Sequence, residues 1–325
     1  MNDLTPIGGY FELELPMATH KEYHSEVHYL NTGRNCLKLV IADFAPTCIY
    51  LPRYTCAVLR ESFESTGVEI QYYSIGPDFM PNLAKDFKLR DTDLLLYTDY
   101  FGVNANNVEN LVNAYSDNLI VDNAHSFFSK PLGNLATFYS VRKFFGVPDG
   151  GILAYRPKEE YVFSRDVSIG RIGHLLKRIE YDPLVGYDDY RRSEEAIERG
   201  DIRLMSKLTS RIFAGIDFEL AMRRRTENYK VLYRALADKN LLQSLPNAPL
   251  GPLCYPLLIH EGNRLREHLI RNKIFVPTFW PSLLVEHDLN EFEQSLRNDL
   301  VCLPVDQRYN ERHMEVIIDK VFGFG

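Results

Sequence analysis

Val121-Asp122-Asn123-Ala124-His125 and, about twenty residues on, Ser140-Val141-Arg142-Lys143-Phe144-Phe145-Gly146-Val147-Pro148-Asp149-Gly150-Gly151 are the stretches whose reading decides the fold. In the first, an apolar run ends on a carboxylate. A carboxylate that closes a buried strand is costly to keep ionised without a partner. In the second, a lysine follows a serine by three residues and precedes a glycine pair. A lysine partly buried among Phe144, Phe145 and Gly146 would lose some of its proton affinity, which favours imine chemistry. Together they are the arrangement expected of a chain that holds pyridoxal phosphate (PLP): the lysine carries the cofactor as an imine, and Asp122 sits against the pyridinium nitrogen. The plainer alternatives are a capping or loop aspartate and a solvated surface lysine.

Short apolar runs surround these motifs. Leu94 to Tyr97, Leu119 to Val121, Ala136 to Tyr139 and Gly151 to Tyr155 have the form of strands buried on both faces of a mostly parallel sheet. Upstream, Thr32 to Ile41 reads as a helix, Cys48 to Leu51 as a strand, Ala57 to Glu64 as a helix and Val68 to Ile75 as a strand. That is the rhythm of βαβ units, and it predicts a doubly wound α/β large domain over residues 1–212. Arg156 to Gly200 is polar and reads as surface excursions. From Ile202 to Leu236, apolar residues recur at helical spacing, as one long helix or two abutting ones. A strand near Pro256 to Ile259, a helix over Asn263 to Asn272, a strand-turn over Ile274 to Pro281 and a last helix over Glu311 to Val321 predict a smaller α+β domain over 213–325.

Further parts of a cofactor site can be named. Thr32-Gly33-Arg34 opens a helix whose backbone N–H groups could face a phosphate, with Gly33 allowing close approach or serving only as a tight turn. Ser140 adds a hydroxyl. Tyr54 could cover a ring face by stacking, or pack in the core with Cys56 in the stacking position. His125 is either a donor to the cofactor's phenolic oxygen or a structural histidine.

Composition narrows the class. Of 325 residues, 45% are hydrophobic and 25% charged, enough for a large core, and the net charge of −7 argues against nucleic acid as an obligate partner. No stretch has the ~18 consecutive apolar residues of a membrane span, and Met1 to Pro16 does not read as a signal peptide, so a cytoplasmic location without membrane attachment is expected. The five cysteines have no metal-ligand or disulfide-framework spacing; reduced thiols and no metal site are expected.

At these residues the chain resembles a known family. Val121-Asp122-Asn123-Ala124-His125 is similar to the Glu-Asp-x-Ala-Gln/His motif, and Lys143 with Gly150-Gly151 to the lysine-to-Gly-Gly block, of the DegT/StrS-type sugar aminotransferases, PLP enzymes of the aspartate aminotransferase fold (fold type I). The resemblance extends through Thr32-Gly33-Arg34, Pro52-Arg53-Tyr54-Thr55, Arg203-Leu204-Met205-Ser206, Arg223-Arg224-Arg225 to Tyr229, and Leu303-Pro304-Val305. Where the family has Ser-Phe-His-x-x-Lys this chain has Tyr139-Ser140-Val141-Arg142-Lys143, which moves the expected phosphate contact to Ser140. The resemblance implies a homodimer and transfer of an amino group, often from glutamate, to a keto sugar carried on a nucleotide. Lys143 would also move the proton between substrate and cofactor. Arg308 and Arg203 are the substrate-binding candidates. The alternatives are another PLP reaction, such as dehydration or transamination of a small keto acid, or a non-catalytic sugar-nucleotide binding or sensing protein on the same sheet.

Overall fold

A computed structural model describes residues 11–16, 22–63, 66–198, 200–285 and 288–324. Residues 1–10 of the segment read for a leader, and Glu64 at the end of an expected helix, lie outside the described residues.

The large sheet has seven strands: β1 (His28–Leu30), β2 (Cys48–Pro52), β3 (Glu69–Tyr73), β4 (Asp93–Thr98), β5 (Leu119–Asp122), β6 (Ala136–Ser140) and β7 (Gly151–Ala154). Their order is β1-β7-β6-β5-β4-β2-β3. Strands β3, β2, β4, β5 and β6 run parallel; β7 is antiparallel to both β6 and β1. This is the mixed α/β architecture expected, with β1 as an edge strand too short to read in sequence.

Alternation along β4 shows why its run is unbroken. All six residues are buried. Leu94 and Leu96 join a cluster with Leu37, Val40 and Ile41 of α1 (Gly33–Phe44), while Leu95 and Tyr97 join a second cluster on the opposite face. Successive side chains of a strand point to opposite faces, so a strand covered on both sides must be apolar throughout. Helices α2 (Ala57–Glu61) and α3 (Ala105–Tyr115) complete the first half.

Beyond β7, α4 (Gly173–Glu180) and α5 (Tyr187–Glu198) form the polar excursion. The periodic stretch 202–236 is two helices, α6 (Lys207–Ala214) and α7 (Phe218–Leu236), preceded by an extended segment. Leu204, read as helical, instead bridges Leu30 and Arg165, because Ser206 caps α6 by accepting from Thr209 N–H and stops the helix there. The C-terminal part contains β8 (Cys254–Leu258), α8 (Gly262–Arg271), α9 (Glu291–Asp299), β9 (Leu300–Pro304) and α10 (Glu311–Phe322), with β8 and β9 antiparallel. The strand-turn expected over Ile274 to Pro281 does not form: the segment is irregular and leads into a 3₁₀ turn at Pro281–Val285. Its apolar residues are spent on tertiary contact, with Phe279 and Trp280 packed against the second cluster. That cluster runs unbroken from Tyr97 and Val121 into Tyr229, Leu257, Leu303 and Ile317, so the C-terminal elements close one face of the sheet.

Candidate active site

In a parallel sheet, ligands bind beyond the carboxyl ends of the strands. Here those ends carry Asp99 after β4, Asp122 closing β5, Ser140 closing β6, and the turn 53–56 after β2. The chain leaves β6 into a single 3₁₀ turn, Val141–Lys143, which presents Lys143 on the same edge.

Asp122 is buried, and one carboxylate oxygen accepts the Ala124 N–H at 2.8 Å. Burial pushes its pKa up, and the charge of Lys143 with the Ala124 bond opposes this. Lys143 is exposed as a residue, yet its ammonium is crowded by protein. That crowding pulls its pKa below the usual lysine range, against the opposing pull of Cys56 and Asp122. Cys56 feels Lys143, Asp122 and Arg34, though burial still raises its thiol above the usual range. Five predicted residues thus share one electrostatic neighbourhood: Arg34, Cys56, Asp122, Lys143 and His125, whose already burial-lowered pKa Lys143 lowers further.

His125 is held as a neutral ring. It stacks between Phe101 (5.6 Å, 23°) and Trp280 (5.6 Å, 19°). Its Nδ1 accepts the Phe101 N–H at 3.4 Å. A backbone N–H can only donate, so the ring proton belongs on Nε2. That Nε2 is buried with no partner among the described residues. A buried donor without an acceptor is costly, and an oxygen of a bound ring would satisfy it.

Glycines bring the α1 N-terminus to the lysine turn. A Cβ on Gly151 would fall 2.3 Å from the carbonyl carbon and oxygen of Thr32, and one on Gly33 would fall 3.4 Å from Tyr139 O and 3.7 Å from Ser140 Cβ. Gly150, at φ 127°, takes a conformation that side chains disfavour, and its N–H donates to Asn31 O at 2.6 Å. Thr32 spends its hydroxyl as the α1 N-cap, accepting from Asn35 N–H at 3.0 Å. The Gly-Gly pair therefore docks the start of α1 beside Ser140, leaving a helix N-terminus of the kind that binds anions. Asp149 secures the far side by accepting from Ser206 N–H and Oγ, both at 2.8 Å, and from Thr209 Oγ1.

Three predicted residues stand elsewhere. Tyr54 is fully buried, donating to Phe279 O at 2.6 Å and packed on Tyr100 and Trp280, so it presents no face to the cleft. Cys56, two residues on, is the one beside Lys143. Arg308 closes its guanidinium on Asp306 through Nε (2.7 Å) and Nη2 (3.0 Å), an exposed local pair rather than a clamp awaiting a carboxylate. Arg203 lies beside the α1 start through its backbone, its carbonyl accepting Asn31 N–H at 2.9 Å.

Sequence reasoning missed Trp280 and Asp99. Trp280 is the chain's single tryptophan and reaches His125 from a segment without periodicity. Asp99 is buried, accepts Asn104 N–H at 3.0 Å, and donates its own N–H to Asp122 O at 3.1 Å. Burial raises its pKa from 3.8 to about 6, against bonds from Ser126 and Asn104 and with a smaller push from Asp122. A carboxyl raised this way favours folding while protonated: its contribution is full below about pH 4 and lost as pH rises through about 6. Relative to Asp99→Asn, the wild-type chain is expected to lose roughly 1–3 kcal/mol of stability between about pH 4 and pH 7, read by denaturant unfolding.

Among the described residues, no group of three His, Cys, Asp or Glu side chains is arranged to hold a metal ion, and no helix is long and apolar enough to cross a membrane. All five cysteines are free thiols.

Solved structures share this architecture. A DegT DnrJ EryC1 StrS aminotransferase from Brucella abortus is similar over 92% of this chain and 85% of its own, at 16% identity and a TM-score of 0.61. The sugar aminotransferase CalS13 from Micromonospora echinospora is similar over 92% and 88%, at 14% identity and a TM-score of 0.61. PseC from Helicobacter pylori, an aminotransferase involved in the biosynthesis of pseudoaminic acid, is similar over 92% and 86%, at 13% identity and a TM-score of 0.61. The chain therefore has the fold of the DegT/StrS-type sugar aminotransferases. Compared by sequence, no protein-family model and no curated protein matches this chain.

Proposed function

We propose that this protein is a PLP-dependent aminotransferase that moves an amino group, from glutamate as donor, to a keto sugar carried on a nucleotide. The observation that carries the reading is that Lys143 and buried Asp122 feel each other's charge at the carboxyl end of the parallel strands, the edge where such sheets bind ligands. The residues fit the cofactor. Asp122 suits a protonated ring nitrogen, the Nε2 proton of His125 suits a ring oxygen, and the α1 N-terminus with Ser140 suits a phosphate. When bound, PLP supplies an electron sink for the carbon that loses its proton. Lys143, with its proton affinity lowered by crowding, holds and returns that proton at Nζ. Asp122 would pair with the protonated ring nitrogen, and the Phe101 and Trp280 rings hold the His125 ring in place.

Two further observations support the reading. A Streptococcus pneumoniae chain of the same fold, Spr1654, has been solved in PLP and PMP forms, at 12% and 13% identity. The surface around α4 and α5 exposes Ile169 (72%), Ile179 (79%) and Leu184 (66%), an apolar face that suits a second copy in a cytoplasmic homodimer.

Adding PLP to the purified protein is expected to produce a visible absorption band of lysine-bound cofactor and to quench Trp280 fluorescence. L-Glutamate should then convert that band to the amine form of the cofactor. A protein that binds PLP but ignores every amino donor, while binding sugar nucleotides, would replace this reading with a sensing role.

A further inference from the structure

We propose that Arg225 of α7 and Gln307, which follows β9, are positioning residues for Lys143: they grip the carbonyl of Phe144, the next residue, and so fix the turn that presents the lysine. The inference rests on the role given to Lys143 above.

The Phe144 carbonyl accepts two bonds, from Arg225 Nη2 at 3.1 Å and from Gln307 Nε2 at 2.8 Å. The two gripping residues are themselves joined, Arg225 Nε donating to Gln307 Oε1 at 2.8 Å. The rest of the guanidinium is held by Pro252 O (3.1 Å) and Leu253 O (3.3 Å), and its face covers the Phe144 ring at 4.5 Å. Both lone pairs of one carbonyl are therefore taken by residues distant in sequence. At its other end the turn is tied by Val141 N–H to Gly150 O at 3.1 Å. Lys143 lies between these anchors.

The chemistry of Arg225 is unusual for a merely structural residue. It is 2% exposed and, among the described residues, makes no salt bridge; its hydrogen-bond partners are neutral oxygens. Burying a charge against neutral acceptors is expensive, and an apolar side chain would fill the space at lower cost. What an apolar side chain cannot do is direct several N–H groups in a rigid fork. That fork links the C-terminal elements to the backbone of the lysine turn, so their placement and the aim of Lys143 are set together. Arg308, the residue singled out from sequence, is paired locally with Asp306; its neighbour Gln307 reaches the turn.

The test uses Arg225→Lys and Gln307→Leu with two readouts. In the cofactor-free protein, the pH dependence of Lys143 acetylation by acetic anhydride, followed by peptide mass spectrometry, gives the titration of that lysine. With PLP added, the rate of rise of the visible band gives its capture. A loosened turn frees Lys143 from the crowding that lowers its proton affinity, so its titration should move up in both variants. Acetylation at neutral pH and PLP capture should each fall roughly tenfold. Variants that unfold at lower temperature yet keep the wild-type Lys143 titration and capture rate would overturn the proposal. If Arg225→Lys fails to fold, Gln307→Leu decides alone, because Gln307 is only half-buried. Failure of the wild-type protein to capture PLP would defeat the proposed function, and the acetylation profile would still decide whether Arg225 and Gln307 set Lys143.

Discussion

Lys143→Ala is expected to abolish the visible band on adding PLP and to reduce transamination by at least about 10²–10⁴-fold, the loss that follows from removing a positioned proton carrier alone. The covalent attachment is lost as well, so the true decrease should lie at or beyond the upper end. The chain should remain folded. Lys143 is exposed rather than part of the core, and its ammonium gains little from its crowded position, as its lowered proton affinity shows. Circular dichroism and the unfolding midpoint check the fold; stopped-flow absorbance with glutamate checks the chemistry. Asp122 should become harder to ionise in the variant, since the charge of Lys143 is the largest influence opposing its burial.

Gly151→Ala is expected to be the most damaging single-methyl change near the site, costing roughly 3–5 kcal/mol of stability and removing PLP binding with it. The added Cβ would stand 2.3 Å from Thr32 C and O and 2.7 Å from Gly33 N, all backbone atoms that no rotamer change can move aside. Either β7 leaves β1 and β6, or α1 backs away from Ser140. The first lowers stability and the second opens the anion cradle. Denaturant unfolding and PLP titration together distinguish this from Gly133→Ala, where a Cβ meets nothing within 4 Å but φ is +81° and only local strain follows.

The fold was legible where burial is two-sided. Runs such as Leu94-Leu95-Leu96-Tyr97 have no alternation because both faces of β4 are covered, and that continuity marks a central strand. The helix start at Thr32-Gly33-Arg34 was legible because its cause is local; the Gly150-Gly151 pair was legible as a motif, while its cause, the close approach of Thr32, lies in the tertiary packing. The C-terminal elements were less so. Helix α9 starts on the capping box Asn290-x-x-Glu293, and β9 follows it with no intervening turn. Ile274 to Pro281 looked like a strand because its apolar residues are dense, but Phe279 and Trp280 are there to cover Tyr54 and His125. Of the candidate site, Asp122, Lys143, Cys56, His125 and Arg34 could be named because their chemistry is local. Trp280, Asp99, Arg225 and Gln307 could not, since each acts through a neighbour that only the three-dimensional packing supplies. Tyr54 and Arg308 fail for the converse reason: their types suit the task, and their partners already occupy them.

The measurement that tests the central claim most directly is borohydride reduction of the protein incubated with PLP, followed by peptide mass mapping. The account predicts one phosphopyridoxyl group, carried by the peptide containing Lys143 and absent from the Lys143→Ala variant. A reduced adduct scattered over surface lysines, or none at Lys143, would contradict it.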